Sequence, residues 1–257
     1  MTVFYVNLGV TFILALMSKL HPKGKIDKKP LLFFTILIIT VLTLVSGLRN
    51  GIGDTGDYKH LYELVATGQE IGDGFEAGFI LLINILVCIN TDPQFFIFML
   101  ALITNVLNIW IFRSYSSLFE LEIYMYITSG YYLVTMNGIR QALAAAIMFG
   151  GTKYIINGNF IKFSIVTILA STIHTSAIIL IPVYFIVRNE AWSKKIMIII
   201  LLSSIGFLFF QPIMQVFFKA AEGSRYAGYE DAIMNGGEGG ASILRTIIAA
   251  VPVVIAY

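Results

Sequence analysis

The sequence predicts an all-α, polytopic integral membrane protein, and three observations carry that expectation. Hydrophobic residues make up 58% of the chain and charged residues only 12%. The mean hydropathy of +0.84 is too high for a soluble domain, which must clothe its core in polar groups. Apolar runs recur along the whole length, enough for roughly nine or more spans at about 20 residues each. The polar residues gather in a few clusters between them. A net charge of +2 with no basic stripe gives no footing for a nucleic-acid partner. The single cysteine, Cys88, rules out an internal disulfide and a cysteine metal cluster.

The first apolar run, residues 3–18, lacks a basic leader and a small-residue cleavage site, so it reads as a retained helix. The lysine-rich linker 19–29 follows, and lysine bias in short loops puts it in the cytoplasm. Helix two, 31–48, then delivers the chain to the outer face. Residues 58–74 carry Leu61, Leu64 and Val65 at helical spacing and predict a short interfacial helix. A third run covers 75–89. Pro93 is suited to open the fourth, 94–112. A polar interval, 113–122, separates it from the fifth, 123–136, and the sixth spans 138–156. Residues 163–187 are too long for one tidy span and hold Ser171-Thr172-Ile173-His174-Thr175-Ser176 at their middle. An eighth run ends at Phe210, and a polar segment, 219–241, precedes a last apolar stretch. The expectation is one transmembrane domain, 1–257, incomplete at its C-terminus.

Counting single crossings puts the basic loops 153–162 and 188–195 on opposite sides, although lysine bias favours the cytoplasm for both. A hairpin of two half-length helices broken at His174 reconciles them, with a second change of parity at the short segment 76–89. Irregular backbone at that depth is tolerated where protein or a water-filled cavity surrounds it.

Four polar clusters stand out. Leu48-Arg49-Asn50-Gly51-Ile52-Gly53-Asp54-Thr55-Gly56-Asp57-Tyr58 sets an arginine, two carboxylates and three glycines at the mouth of helix two. Such glycines let backbone approach a ligand closely, and a guanidinium fork suits phosphate. A solvated loop fits the same residues. In Asn137-Gly138-Ile139-Arg140-Gln141-Ala142, the residues Asn137, Arg140 and Gln141 share one helix face. An ionisable group there is a functional candidate, and a snorkelling arginine is the plainer alternative. His174, between hydroxyls, can exchange a proton near neutrality; a packing histidine on a carbonyl fits equally. Arg225, Tyr226 and Tyr229 offer a phosphate-binding cation and sugar-stacking rings, or a headgroup tyrosine belt. No metal-binding histidine pair, nucleotide loop or hydrolase motif is present, so no cofactor and no metal is expected.

Together these clusters resemble the EpsG family of Wzy-like polymerases of exopolysaccharide and capsule synthesis. The resemblance rests on Arg49-Asn50-Gly51-Ile52-Gly53-Asp54 to Tyr58, on Glu76-Ala77-Gly78-Phe79, on Asn137-Gly138-Ile139-Arg140-Gln141-Ala142-Leu143-Ala144 and on His174-Thr175-Ser176-Ala177. It implies a GT-C-like membrane glycosyltransferase in the bacterial cytoplasmic membrane with its active site facing outward. Donor and acceptor would be glycans linked to a polyprenyl diphosphate such as undecaprenyl diphosphate. The partners implied are the lipid bilayer, a flippase and a chain-length regulator. His174, Asp54 and Arg140 would be catalytic. Arg49, Asn50, Asp57, Tyr58, Glu76, Asn137, Gln141, Arg225, Tyr226 and Tyr229 would bind substrate. Arginines would stabilise the departing diphosphate, and His174 or Asp54 would take the acceptor's proton. A lipid-linked glycan flippase and a non-catalytic scaffold of the assembly complex stay open as alternatives.

Overall fold

The computed structural model describes residues 2–20, 29–69, 71, 74–115, 117–190 and 192–220. The described chain is built of helices, with no strand among the described residues. It falls into two compact units, Met1–Arg188 and Asn189–Tyr257. The first holds α1 (Thr2–Met17), α2 (Leu32–Gly47), α3 (Thr55–Ala66), α4 (Ala77–Ile89), α5 (Pro93–Tyr115) and α6 (Phe119–Thr128). It continues with α7 (Tyr131–Val134), α8 (Ile139–Ile156), α9 (Phe160–Ser171), a 3-10 turn (Thr175–Ile179) and α10 (Leu180–Val187). The second holds α11 (Lys194–Leu208) and α12 (Phe210–Ala220), bent by 77° at their junction.

The first unit is laid out around α5. At 23 residues and about 1.5 Å per residue, it is the one described helix long and apolar enough to cross a membrane alone. Pro93 opens it, as the sequence suggests. The Gln94 side-chain amide donates to the Gly47 carbonyl at 2.6 Å, and Arg113 Nε donates to the Pro30 carbonyl at 3.1 Å. Helices α2 and α5 are therefore antiparallel neighbours. Lys19 Nζ meets Glu120 at 2.6 Å, which brings the start of α6 to the Pro30 end. Phe112 packs edge-on to Phe149 at 5.5 Å, while Ile139 and Leu143 share a core with Phe96 and Ile97, so α8 runs parallel to α5.

These pairings define two ends. Lys19, Arg113 and the C-terminus of α8 with Lys153 lie at one. The loop after α2, the start of α5 and the start of α8 lie at the other. Segment 48–92 therefore begins and ends at the same end of the bundle.

Past α8 the chain makes the hairpin anticipated at His174. Phe160 and Phe163, early in α9, pack on Tyr184 in α10 at 5.2 and 5.1 Å. Arg188 Nη1 donates to the Ile155 carbonyl at 2.7 Å. The chain thus returns to the basic end, with residues 172–174 at the turned tip. The fifth apolar run differs from its single-helix expectation: it is split at Ser129-Gly130, where Gly130 has φ +83°. The interfacial helix also starts earlier and stops sooner than 58–74. Asp54 and Thr55 open it, and Gly68 in the left-handed region closes it.

The tip of the hairpin lies against the start of α4. Phe79 N–H donates to the Thr172 carbonyl at 3.1 Å. A Cβ on Gly78 would stand 2.7 Å from Thr172 Cβ and 2.9 Å from that carbonyl oxygen. We expect G78A to lower stability by about 1–3 kcal/mol, as overpacking does. G56A, in open space on α3, should change it by about 1 kcal/mol or less. Thermal unfolding in detergent compares them, and equal midpoints for both variants would refute this contact.

Candidate functional site

Four chain segments converge at the end of the first unit opposite Lys19 and Arg113. They are the 49–58 segment, the start of α4, the start of α8 and the tip of the α9–α10 hairpin. Each arrives there for a local reason. Gly53 (φ +56°) passes so close to Asn137 that a Cβ would sit 2.8 Å from its Cγ, a position only glycine fills without strain. Gly138 (φ +59°) then turns the chain into α8. Its N–H donates to both Asp54 carboxylate oxygens, at 3.0 and 3.2 Å. Asp54 thus binds the N-terminus of α8 from another segment, where helix dipole and orphan donors favour a carboxylate.

Arg140, the second residue of α8, is the centre of the site. Its Nη1 pairs with Glu76 Oε2 at 2.6 Å and its Nε donates to the Tyr58 hydroxyl at 3.1 Å. Its guanidinium carbon lies 4.8 Å from the Phe75 ring and 5.4 Å from the Phe79 ring, so aromatic faces add to the cation's stabilisation. Glu76 Oε1 accepts from both the backbone N–H and the hydroxyl of Thr175, each at 3.0 Å. His174 Nδ1 stands 3.6 Å from that same oxygen. Burial alone would raise the Glu76 pKa. The Thr175 donors and the Arg140 charge outweigh it and hold the carboxyl below its ordinary value. At Tyr58 the balance falls the other way: burial raises the phenol against the lowering effect of Arg140.

Arg49, a substrate-binding residue by the resemblance, is 6% exposed, and its Nε donates to the Thr55 hydroxyl at 3.0 Å while Nη1 donates to the Ser46 carbonyl. Its guanidinium closes its own loop. Burial pushes its pKa down to about 10, partly offset by Asp54, so it stays a cation. Asn50 accepts from Lys59 Nζ at 2.8 Å. Asn50, Asp57, Asn137 and Gln141 are exposed. Arg225, Tyr226 and Tyr229 lie outside the described residues. No group of three or more potential metal ligands occurs among the described residues.

Sequence reasoning missed the part played by Thr175, Phe75, Phe79 and Thr172. Thr175 and Phe79 lie within stretches already singled out, but nothing local in the sequence says that one serves a carboxylate 99 positions away. A cavity of about 550 Å³ between α5, α6 and α8, lined by Phe112, Met125, Phe149 and other largely apolar side chains, lies apart from these groups.

An arginine and a histidine beside one carboxylate, with a second carboxylate at the N-terminus of α8, are groups that can bind an anion and exchange a proton. The EpsG family model matches residues 31–257, and the chain belongs to the EpsG family. Membership implies, in general terms, a role of the polysaccharide-polymerase type in a membrane protein. No curated protein and no solved structure matches the chain.

The electrostatics give a stability prediction. The folded-state pKa of Glu76 lies below its ordinary value of 4.5. Its contribution is therefore full above that value and is lost as pH falls through the folded one. E76Q should lower stability at neutral pH by about 2–4 kcal/mol, because Arg140 loses its counter-charge. It should also flatten the acid limb of a melting-temperature profile below the ordinary value of 4.5. An unchanged acid limb would show that Glu76 does not carry this dependence.

Proposed function

We propose that this protein is a polytopic membrane glycosyltransferase that extends a polysaccharide on the outer face of the bacterial cytoplasmic membrane. The donor is a glycan on a polyprenyl diphosphate and the acceptor a second lipid-linked repeat unit. The observation that carries this reading is the convergence of Arg140, Glu76, His174 and Asp54 from four segments at the end of the bundle opposite its basic residues. Family membership supports the reaction class.

The basic residues support the orientation. Lys19, Arg113, Lys153 and Arg188 share one end, which lysine and arginine bias puts in the cytoplasm, so the site opens outward. Outward-facing Phe33, Ile36, Leu81, Ile161 and Leu169 are exposed, more apolar surface than water tolerates and suited to lipid. In this setting α3 and α4 lie on the outer side and α9–α10 enters and leaves from the cytoplasmic side. A flippase and a chain-length regulator are the partners that the resemblance implies.

The chemistry follows from the groups at hand. Transfer breaks the bond from the anomeric carbon to the diphosphate and forms one to the acceptor oxygen. Negative charge develops on the departing diphosphate, and Arg140, beside the Phe75 and Phe79 rings, is placed to stabilise it. The acceptor hydroxyl must lose a proton, and His174 and Asp54 are the two bases at the site. Arg49 shapes the loop that carries Asp54. The hairpin also fits a lipid-linked glycan flippase, which would move the donor without consuming it.

In a lipid-linked repeat-unit assay, R140A should cut polymer formation by about 100-fold or more while the protein still inserts. R140K should retain part of it, since a point charge replaces a fork. R49A should act chiefly by lowering stability. Of H174Q and D54N, the variant that loses turnover but keeps donor binding marks the base. Full polymerisation by R140A would overturn the assignment of this site, and donor translocation without polymer would favour the flippase. Labelling of single cysteines at Gly56 from outside and at Lys153 from the cytoplasm tests the orientation.

A further inference from the structure

The hydrogen bonds of the Arg140 side chain go to partners of different kinds. Its Nη1 pairs with the Glu76 carboxylate at 2.6 Å, and its Nε donates to the Tyr58 hydroxyl at 3.1 Å. A guanidinium has five N–H donors fixed in one plane. Both protons of Nη2 and the second proton of Nη1 have no hydrogen-bond partner among the described residues. An anion bound by Arg140 therefore takes the Nη side of the fork, beside a carboxylate of its own sign. Coulomb repulsion between the two works against the bond to Glu76. It does not work against the bond to Tyr58, whose phenol is neutral, since burial raises its pKa against the lowering effect of Arg140.

Tyr58 is itself firmly placed. It is 8% exposed, and its ring meets the fully buried Phe79 edge-on at 6.0 Å. One turn further along α3, Tyr62 stacks on Phe96 at 4.7 Å and donates its hydroxyl to the Asn90 carbonyl at 2.6 Å. Phe79 in turn lies 5.4 Å from the Arg140 guanidinium. The hydroxyl that Nε meets thus belongs to the packing of α3 on α4 and α5.

We propose that Tyr58 is a positioning residue: it anchors Arg140 through Nε while the Nη groups turn to the diphosphate of the donor. This rests on the diphosphate reading given above, and it differs from the direct substrate contact that the resemblance implies for Tyr58. With Nε held, the guanidinium keeps its plane whichever anion its Nη groups meet. The departing diphosphate then finds donors already oriented, an advantage that a misplacement of about 1 Å destroys. Without the hydroxyl the cation remains, but Glu76 and the diphosphate compete for a fork that turns freely. Binding, which needs the charge, changes little; turnover, which needs the geometry, falls.

Y58F removes the hydroxyl and keeps the ring that packs on Phe79. In the lipid-linked repeat-unit assay it should lower kcat by about 10-fold or more, with the donor KM changed by about twofold or less. The same substitution in an R140K chain should cost about twofold or less, because lysine has no fork to orient. Losses of equal size in both backgrounds mean that the hydroxyl serves the fold in general, and they overturn the proposal. A Y58F chain with wild-type kcat overturns it too. A second measurement leaves Tyr58 unchanged. In a chain carrying isotope-labelled arginine, the Arg140 Nε–H resonance, assigned by its absence from R140K, should stay protected from solvent exchange when farnesyl diphosphate binds. Loss of that protection on binding overturns the proposal even where Y58F does not fold. A wild-type chain that neither forms polymer nor binds farnesyl diphosphate removes instead the diphosphate reading on which the proposal rests.

Discussion

Arg140 is a permanent cation with its side chain only 19% exposed, and such a charge persists only if something compensates it. The compensating group, Glu76, cannot come from the same helix: α8 has no acidic residue in its first turn. It comes from the start of α4, and that single requirement fixes much of the architecture at this end. For Glu76 to reach Arg140, α4 must begin beside α8. For its other oxygen to be satisfied, the α9–α10 hairpin must bring the Thr175 N–H and hydroxyl to the same place. Gly78 then has to be a glycine, because the hairpin backbone runs against it. The hairpin turns where it does because its tip is fastened to a carboxylate.

A second set of polar contacts stiffens the support below the 49–58 loop. Asn105 in α5 donates to the Ser46 hydroxyl at 3.1 Å and accepts from the Tyr126 hydroxyl at 3.2 Å. The Tyr132 hydroxyl donates to the Leu42 carbonyl. These residues are almost fully buried, where a satisfied polar network favours one arrangement over its neighbours. Ser46 contributes its carbonyl to Arg49 as well as its hydroxyl to Asn105. The loop that presents Asp54 is therefore tied to α5, and α2, α5, α6 and α7 set its position together.

Much of this was legible in the sequence, and what was legible was local. Apolar runs gave α1, α2, α4, α5 and α8 within a few residues, since burial periodicity and turn residues act over short range. The conflict between basic loops 153–162 and 188–195 foretold the hairpin at His174, because charge bias constrains topology even where hydropathy does not. The break at Gly130 was hidden, since one glycine inside an apolar run is compatible with a helix. The pairings at the site were hidden for a different reason. Glu76 with Thr175, Arg140 with Tyr58 and Asp54 with Gly138 are long-range contacts, and no period in the sequence encodes them. The helix α12 was also missed, its Gln211 and Gln215 obscuring an amphipathic pattern.

The two arginines of the resemblance show why residue type alone does not settle a role. Arg49 is held by a backbone carbonyl and a hydroxyl from its own loop, and those partners have no alternative arrangement short of opening the loop. A ligand competing for Arg49 would have to oppose local folding. Arg140 is held by a carboxylate from a distant segment, in a setting where the same charge can be met by another anion of equal or greater charge. Exchange there does not require a local loop to open. Of the two, Arg140 is therefore the one whose partner another anion can replace more readily.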